Sequence, residues 1–242
     1  MIFKINNKHI AIISQFIFAT FLMVFTVNAY AQDAPQTAPE AAPPVVELFT
    51  SKYCPACPAA DKNINNLLQQ NPNVIGISCH VTYFDRGDRK DLYSQPFCNA
   101  RQTIYKSALR TRGIYTPMAI VNGQKVIDAR SSKAMNSSAA HPKHQLVGLQ
   151  LNGAYLDIQL PQIALNKDVD VWLVTMEKSA KAANRPTSYH RYQNAATDMK
   201  KLLRWDGNAT NMAYPVEADA NTRYAVLVQT YQGGILAAGQ TP

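Results

Sequence analysis

The residues best suited to chemistry gather at Tyr53-Cys54-Pro55-Ala56-Cys57-Pro58. Two thiols two residues apart can close into a disulfide and reopen, and the attacking species is the thiolate. The apolar run Val45 to Phe49 before them predicts a buried strand, and Ala60, Ile64, Leu67 and Leu68 after them predict a helix over Cys54 to Gln70. A cysteine at a helix start meets unpaired backbone N–H groups and the positive end of the helix dipole, both of which favour thiolate. Pro55 and Pro58 suit that place, because first-turn N–H groups lack intrahelical partners. Cys54, at the mouth of the turn, is expected to attack a disulfide, and the more buried Cys57 to resolve the mixed disulfide. Lys52 adds a nearby positive charge. The same pair also reads as an inert bridge or as half of a zinc or copper site, although Cys79 and Cys98 stand singly rather than as a second Cys-x-x-Cys.

The elements that must position the pair follow in order. Val74 to Phe84 reads as a strand covered on both faces, and the polar loop DRGDRKD leads to a helix around Asn99 to Leu109. Met118 to Val121 and Gln124 to Asp128 flank Asn122-Gly123, a two-residue hairpin signal. In redox folds built as strand, helix, strand, helix, hairpin, a proline placed like Pro117 is cis. Its neighbour, here Thr116, pairs through its backbone with an extended peptide substrate. The other reading is a trans proline opening an edge strand. Beyond His141 the chain alternates like strands: GLQL and AYLDIQL around Asn152-Gly153, VDVWLVTM, and RYAVLVQTY and GGILAAG around Gly233-Gly234. Ala195, Met199, Leu202 and Leu203 predict one helix near Asn194 to Leu203. The second half is therefore expected to be mainly antiparallel, packed on the first or forming a small sandwich.

Met1 to Ala31 carries Lys4 and Lys8, an apolar run from Ile10 to Val27, and Ala29-Tyr30-Ala31, the order of a cleaved secretory signal. An uncleaved anchor is the alternative, since that run nearly spans a bilayer. Residues 32–44 are rich in Ala and Pro and read as a semi-rigid tether. The expected organisation is signal 1–31, linker 32–44, a strand-helix-strand-helix-hairpin domain 45–140 and β-rich segment 141–242. With 242 residues and 47% hydrophobic content the chain buries an ordinary core, which excludes fibrous and disordered classes. Its net charge of +8 is spread thinly, with no basic run to mark a nucleic-acid groove. No second apolar stretch reaches spanning length, so after cleavage no membrane contact is expected, and the location is secreted or periplasmic.

In such an oxidising compartment Cys79 and Cys98 are expected to pair as a structural disulfide, the alternative being a relay that passes electrons to Cys54 and Cys57. His80 points to the strand face opposite Cys79 and reads as a hydrogen-bonded histidine rather than a metal ligand. His141 and His144 flank Pro142 in a loop and read as solvated rather than as a metal pair.

VVELFTSKYCPACPAAD resembles a thioredoxin-like protein, and the wider pattern resembles the secreted bacterial family known as domain of unknown function 1223. The likeness is carried by VVELFTS and CPACPAAD within Val45 to Asp61, HVTYFD at His80 to Asp85, ARQ at Ala100 to Gln102, YTPMAIVNG at Tyr115 to Gly123, RWDG and GGILAAG. It departs at Thr82 and Phe84, where that family commonly has Asp and Trp, and in having Cys79 and Cys98. The resemblance implies a thioredoxin-like fold with an added carboxy-terminal segment, and no proven substrate. It also places Glu47 roughly where thioredoxins keep a buried acid that deprotonates the resolving cysteine, making Glu47 a candidate proton acceptor for Cys57; the other reading is a surface acid on the strand edge. The expected function is an extracytoplasmic thiol-disulfide oxidoreductase of α/β fold, without cofactor or metal, whose partners are protein thiols or disulfides and an electron partner. The competing classes are a copper or zinc metallochaperone and a non-catalytic partner-binding module.

Overall fold

The computed structural model describes residues 42–140, 142–181, 191–217 and 219–242. The signal-like segment 1–31, residues 32–41 of the linker and His141 lie outside them.

Val45–Thr50 forms β1, buried along its length because both faces are covered. On one face Val45 and Phe49 join a core with Cys98 and Tyr105, while Val46 and Leu48 on the other pack against Ala60, Ile64 and Leu67. Those last three lie on helix α1, Cys57–Gln70, whose apolar residues recur at the predicted spacing. Strand β2, Ile75–His80, pairs parallel to β1. Helix α2, Pro96–Ala108, covers the face of β1 and β2 opposite α1. Strands β3, Met118–Val121, and β4, Lys125–Ile127, form the hairpin, with Asn122 and Gly123 both at positive φ as a two-residue turn requires. A short helix α3, Ser132–Ser137, follows, its N-cap Ser131 accepting a hydrogen bond from Ala134 N–H. These first strands lie in the order β4-β3-β1-β2.

The carboxy-terminal strands continue this sheet. Strands β5 (Gln145–Leu146), β8 (Val169–Lys181), β9 (Arg191–Trp205), β11 (Thr222–Gln229) and β12 (Ile235–Gln240) complete a nine-stranded sheet, β4-β3-β1-β2-β9-β8-β11-β12-β5. The seam is β2 against β9, joined in parallel at Ser78 and Ala195. A second sheet of β6 (Gly148–Asn152), β7 (Tyr155–Leu160) and β10 (Thr210–Pro215) is laid over it, burying Leu156, Ile158 and Leu160 against Val171, Leu173 and Val226. The expectation of a mainly antiparallel segment is thus corrected: the large sheet is mixed, with parallel pairs β1/β2, β2/β9 and β12/β5. It curls until the Asn122-Gly123 turn meets the β11–β12 turn, where Ile235 N–H donates to Asn122 O. A Cβ on Gly123 would stand 1.8 Å from the Gly233 carbonyl oxygen, so only glycine fits that closure.

The helix expected near Asn194 to Leu203 is instead the middle of β9. The ladder to β8 skips Thr197 and Leu202, the extra residues of two register shifts. Each shift lengthens the interval between matching side chains, so a bulged strand imitates helical spacing in the sequence.

Candidate functional site

The turn after β1 is built by backbone hydrogen bonds: Cys54 N–H donates to Ser51 O at 3.1 Å and Cys57 N–H to Cys54 O at 3.2 Å. Ala56 is the N-cap of α1 and supplies no side-chain acceptor; Cys57 N–H is taken by the Cys54 carbonyl and Pro58 carries none. Cys57 is the first helical residue, and Cys54, where the sequence pattern placed the helix start, lies in the turn three residues before it. The two are joined as a disulfide, with Cα atoms 5.4 Å apart. Cys54 keeps 3% exposure and Cys57 none, so the little access the pair offers is at Cys54. One turn into α1, the buried carboxylate of Asp61 accepts a hydrogen bond from Thr50 Oγ1 at 2.6 Å, fixing α1 to the end of β1.

Beside the pair lies an open cleft of about 520 Å³ lined by Ala56, Tyr115, Thr116, Pro117, Asp128 and Arg130. The Thr116–Pro117 peptide is cis. Its approach is held by Gln102 of α2, whose Nε2 donates to Tyr115 O at 2.7 Å. The structure therefore brings the cysteine turn and the Thr116-Pro117 segment to one cleft.

Glu47 is not brought there. It is fully buried on the β1 face shared with Val45 and Phe49, across the sheet from α1 and Cys57. Arg101 donates to both its carboxylate oxygens, through Nε and through Nη2, and Tyr105 Oη donates to it as well. Arg101 Nη1 also reaches Gln229 Oε1 at 3.0 Å, so this ionic group ties β1, α2 and β11 together. Burial alone would lower the Arg101 pKa, but the adjacent Glu47 carboxylate outweighs it and pushes it up, keeping the guanidinium charged. Burial likewise raises the Tyr105 phenol far above its ordinary range, so it serves as a donor. The surface-acid reading of Glu47 fails on burial, and the proton-acceptor reading fails on its position across the sheet.

Cys79 and Cys98 form a second disulfide, Cα–Cα 5.4 Å, between β2 and α2. Cys79 faces the core of Ile75, Ile77 and Tyr105, the side of the sheet away from α1, so direct exchange with Cys57 is blocked by the sheet itself. A bridge closing so short a loop is expected to contribute about 3 kcal/mol. Cys79→Ala with Cys98→Ala should lower the free energy of unfolding by that amount, measured with urea, while the reactivity of Cys54 stays as in the parent; loss of Cys54 reactivity in a folded double variant would restore the relay reading.

The loop DRGDRKD supplies a residue that the sequence pattern did not single out. Asp91 is 4% exposed, and its carboxylate accepts from His80 Nδ1 at 2.8 Å, from Lys52 N–H at 2.6 Å and from Tyr93 N–H at 3.2 Å. Burial would raise its pKa, but the hydrogen bond from His80 and the two backbone donors prevail and hold it below the usual carboxylate range. His80 is a hydrogen-bonded histidine with no exposure. Lys52 Nζ lies 5.3 Å from the centroid of the Tyr53 ring, and Arg89 flanks the same ring at 4.8 Å. His144 is bonded rather than solvated, Nε2 donating to Pro43 O at 2.8 Å. No group of three or more His, Cys, Asp or Glu side chains placed to hold a metal occurs among the described residues. No helix among them is long and apolar enough to cross a membrane.

The family described as protein of unknown function (DUF1223) matches residues 45–229, a span that runs from β1 and the cysteine turn to the end of β11. The chain belongs to the DUF1223 family. A crystal structure of the protein AGR_C_4864 from Agrobacterium tumefaciens is similar to this DUF1223 chain at 26% identity and TM-score 0.72, covering 84% of this chain and 95% of that one. HBP35 of Porphyromonas gingivalis superposes with TM-score 0.59 at 15% identity over 83% of this chain and 75% of its own, a likeness of fold alone. No curated protein matches the sequence. The two disulfides fit an oxidising, extracytoplasmic setting for this DUF1223 member.

Proposed function

We propose that the protein is a secreted or periplasmic thiol-disulfide oxidoreductase on a thioredoxin-like scaffold, with Cys54 as nucleophile and Cys57 as resolver. The observation that carries this reading is the Cys54–Cys57 disulfide at the start of α1, beside the cleft lined by Ala56, Thr116 and Pro117. Support for the scaffold comes from the sheet order β4-β3-β1-β2 with β1 and β2 parallel, and from α1 and α2 on opposite faces. The positive end of the α1 dipole, beside the cysteine turn, favours the thiolate that such chemistry needs. Thr116 and Pro117 would present an extended peptide segment of the substrate, a protein thiol or disulfide, and a second thiol protein would return the electrons.

The reading is tested by iodoacetamide alkylation of the reduced mature protein across pH, resolved by mass spectrometry to each cysteine. Cys54 is expected to react with a midpoint well below the ~8.5 of an ordinary thiol while Cys57 stays protected. Reaction of Cys54 with an ordinary midpoint would sink the oxidoreductase and leave the bridge inert.

A further inference from the structure

The buried pair His80 and Asp91 is unused by the redox scheme as it stands, yet it sits against the cysteine turn from two sides. The first is β2: His80 lies opposite Thr50 in the β1/β2 register, and Thr50 bonds Asp61, one helical turn beyond Cys57. Because Cys79 faces the α2 core, His80 points to the α1 side of the sheet. The second is the loop: the same Asp91 oxygen that accepts from His80 Nδ1 also accepts the Lys52 backbone N–H, two residues before Cys54. The pair is itself held in place, since Asp91 N–H donates to Asp85 Oδ1 and Ser94 Oγ donates to Asp85 Oδ2.

An ionised carboxylate accepts only, so the proton between the two groups rides on His80 Nδ1; in the neutral ring Nε2 then carries the lone pair. That nitrogen is buried and has no hydrogen-bond partner among the described residues. A buried imidazole with its basic nitrogen unsatisfied loses the free energy of a hydrogen bond, and a redox or catalytic role is one of the explanations such a group calls for. The ring is packed edge-on against Tyr192, centroid distance 4.4 Å, and Tyr93, 5.8 Å, which shield it from water. Among the described residues, the titratable groups that these contacts set around it are Asp91 and Tyr93 from the loop, Tyr192 from β9, and Asp61 of α1 through Thr50.

We propose that His80, oriented by Asp91, is a positioning residue that stores the proton released when the Cys54–Cys57 disulfide is reduced. The inference rests on the redox reading above. In the balanced step an incoming dithiol becomes a disulfide, giving up two electrons and two protons. The electrons break the Cys54–Cys57 sulfur–sulfur bond. One proton goes to Cys57 and the other to His80 Nε2, leaving Cys54 as thiolate and His80 as imidazolium. In the reverse direction His80 returns its proton as the dithiol re-forms. The arrangement couples the fraction of Cys54 thiolate to the charge on His80 and fixes that charge within the fold rather than at the surface, where salt would screen it.

Two measurements test this. His80→Asn keeps a donor where Nδ1 stood but cannot take up a proton. In the reduced variant the alkylation midpoint of Cys54 is expected to rise by about one pH unit, a tenfold loss of thiolate below both midpoints. Asp91→Asn should move it the same way. The second measurement needs no variant: the His80 ring resonances of the mature protein, followed by NMR at neutral pH, are expected to become those of an imidazolium on reduction with a dithiol and to revert on reoxidation. If parent Cys54 has an acid-shifted midpoint but His80→Asn leaves it unchanged, or the His80 resonances do not differ between redox states, the proton store is overturned and the oxidoreductase stands. An ordinary midpoint in the parent overturns both.

Discussion

Arg101→Ala is expected to destabilise the protein by about 3–5 kcal/mol, a large part of the total stability of an ordinary domain. The guanidinium bonds Glu47, Gln229 and Tyr105 at once, and all four side chains are shielded from water. Truncating it leaves the Glu47 carboxylate buried with only the Tyr105 hydroxyl as donor, and an uncompensated buried charge dominates the cost. The attraction within the intact pair is a separate and smaller quantity, because both ions lost their hydration on folding. Arg101→Met combined with Glu47→Gln is therefore expected to recover much of the loss, which urea unfolding of the single and double variants measures as a coupling energy. Additive losses would mean that the two groups act independently, against the geometry seen. Because the network lies across the sheet from α1, the folded variants should keep the Cys54 reactivity of the parent.

This network shows what the sequence could and could not reveal. Hydrophobic spacing located β1, α1, β2, α2 and the β3–β4 hairpin, since each is a local pattern read within one element. The Cys-x-x-Cys stood out because two reactive residues share one turn. Glu47 was legible as an acid in a buried strand, but its partner is set by which face of β1 it occupies and by what α2 lays over that face. Neither is encoded near Glu47 itself. Arg101 and Gln102 are adjacent in the sequence and serve different ends, one holding Glu47 and the other the Tyr115 carbonyl at the cleft. Asp91 was hidden by its setting, because DRGDRKD has the composition of a solvated loop and only tertiary contact with His80 and Lys52 gives one of its acids a buried role. The β9 strand was misread for a related reason. Its bulges make sense only beside β8, and the partner that fixes their phase is distant in the chain.

The chemistry proposed for the cysteine turn carries the larger functional prediction. Cys54→Ser is expected to reduce disulfide exchange with a model protein disulfide to the uncatalysed background, because a serine hydroxyl supplies almost no anion near neutral pH and forms no mixed disulfide. Cys57→Ser should behave differently: Cys54 still attacks, but nothing resolves the product, so the mixed disulfide accumulates and is seen as added mass under non-reducing conditions. The asymmetry follows from the turn, where Cys54 keeps the only access and Cys57 is the fully buried first residue of α1. If Cys54→Ser traps a substrate through Cys57 instead, the two roles are exchanged. If neither variant traps one and the parent exchanges no faster than background, the pair is a structural bridge, and its removal should then appear as lost stability alone. Stability therefore has to be measured on the same variants. A disulfide closing so small a loop contributes modestly in the chain-entropy account, and less than Cys79–Cys98, whose partners are 19 residues apart against 3. A complete loss of exchange in a variant whose unfolding midpoint barely moves separates chemistry from scaffold.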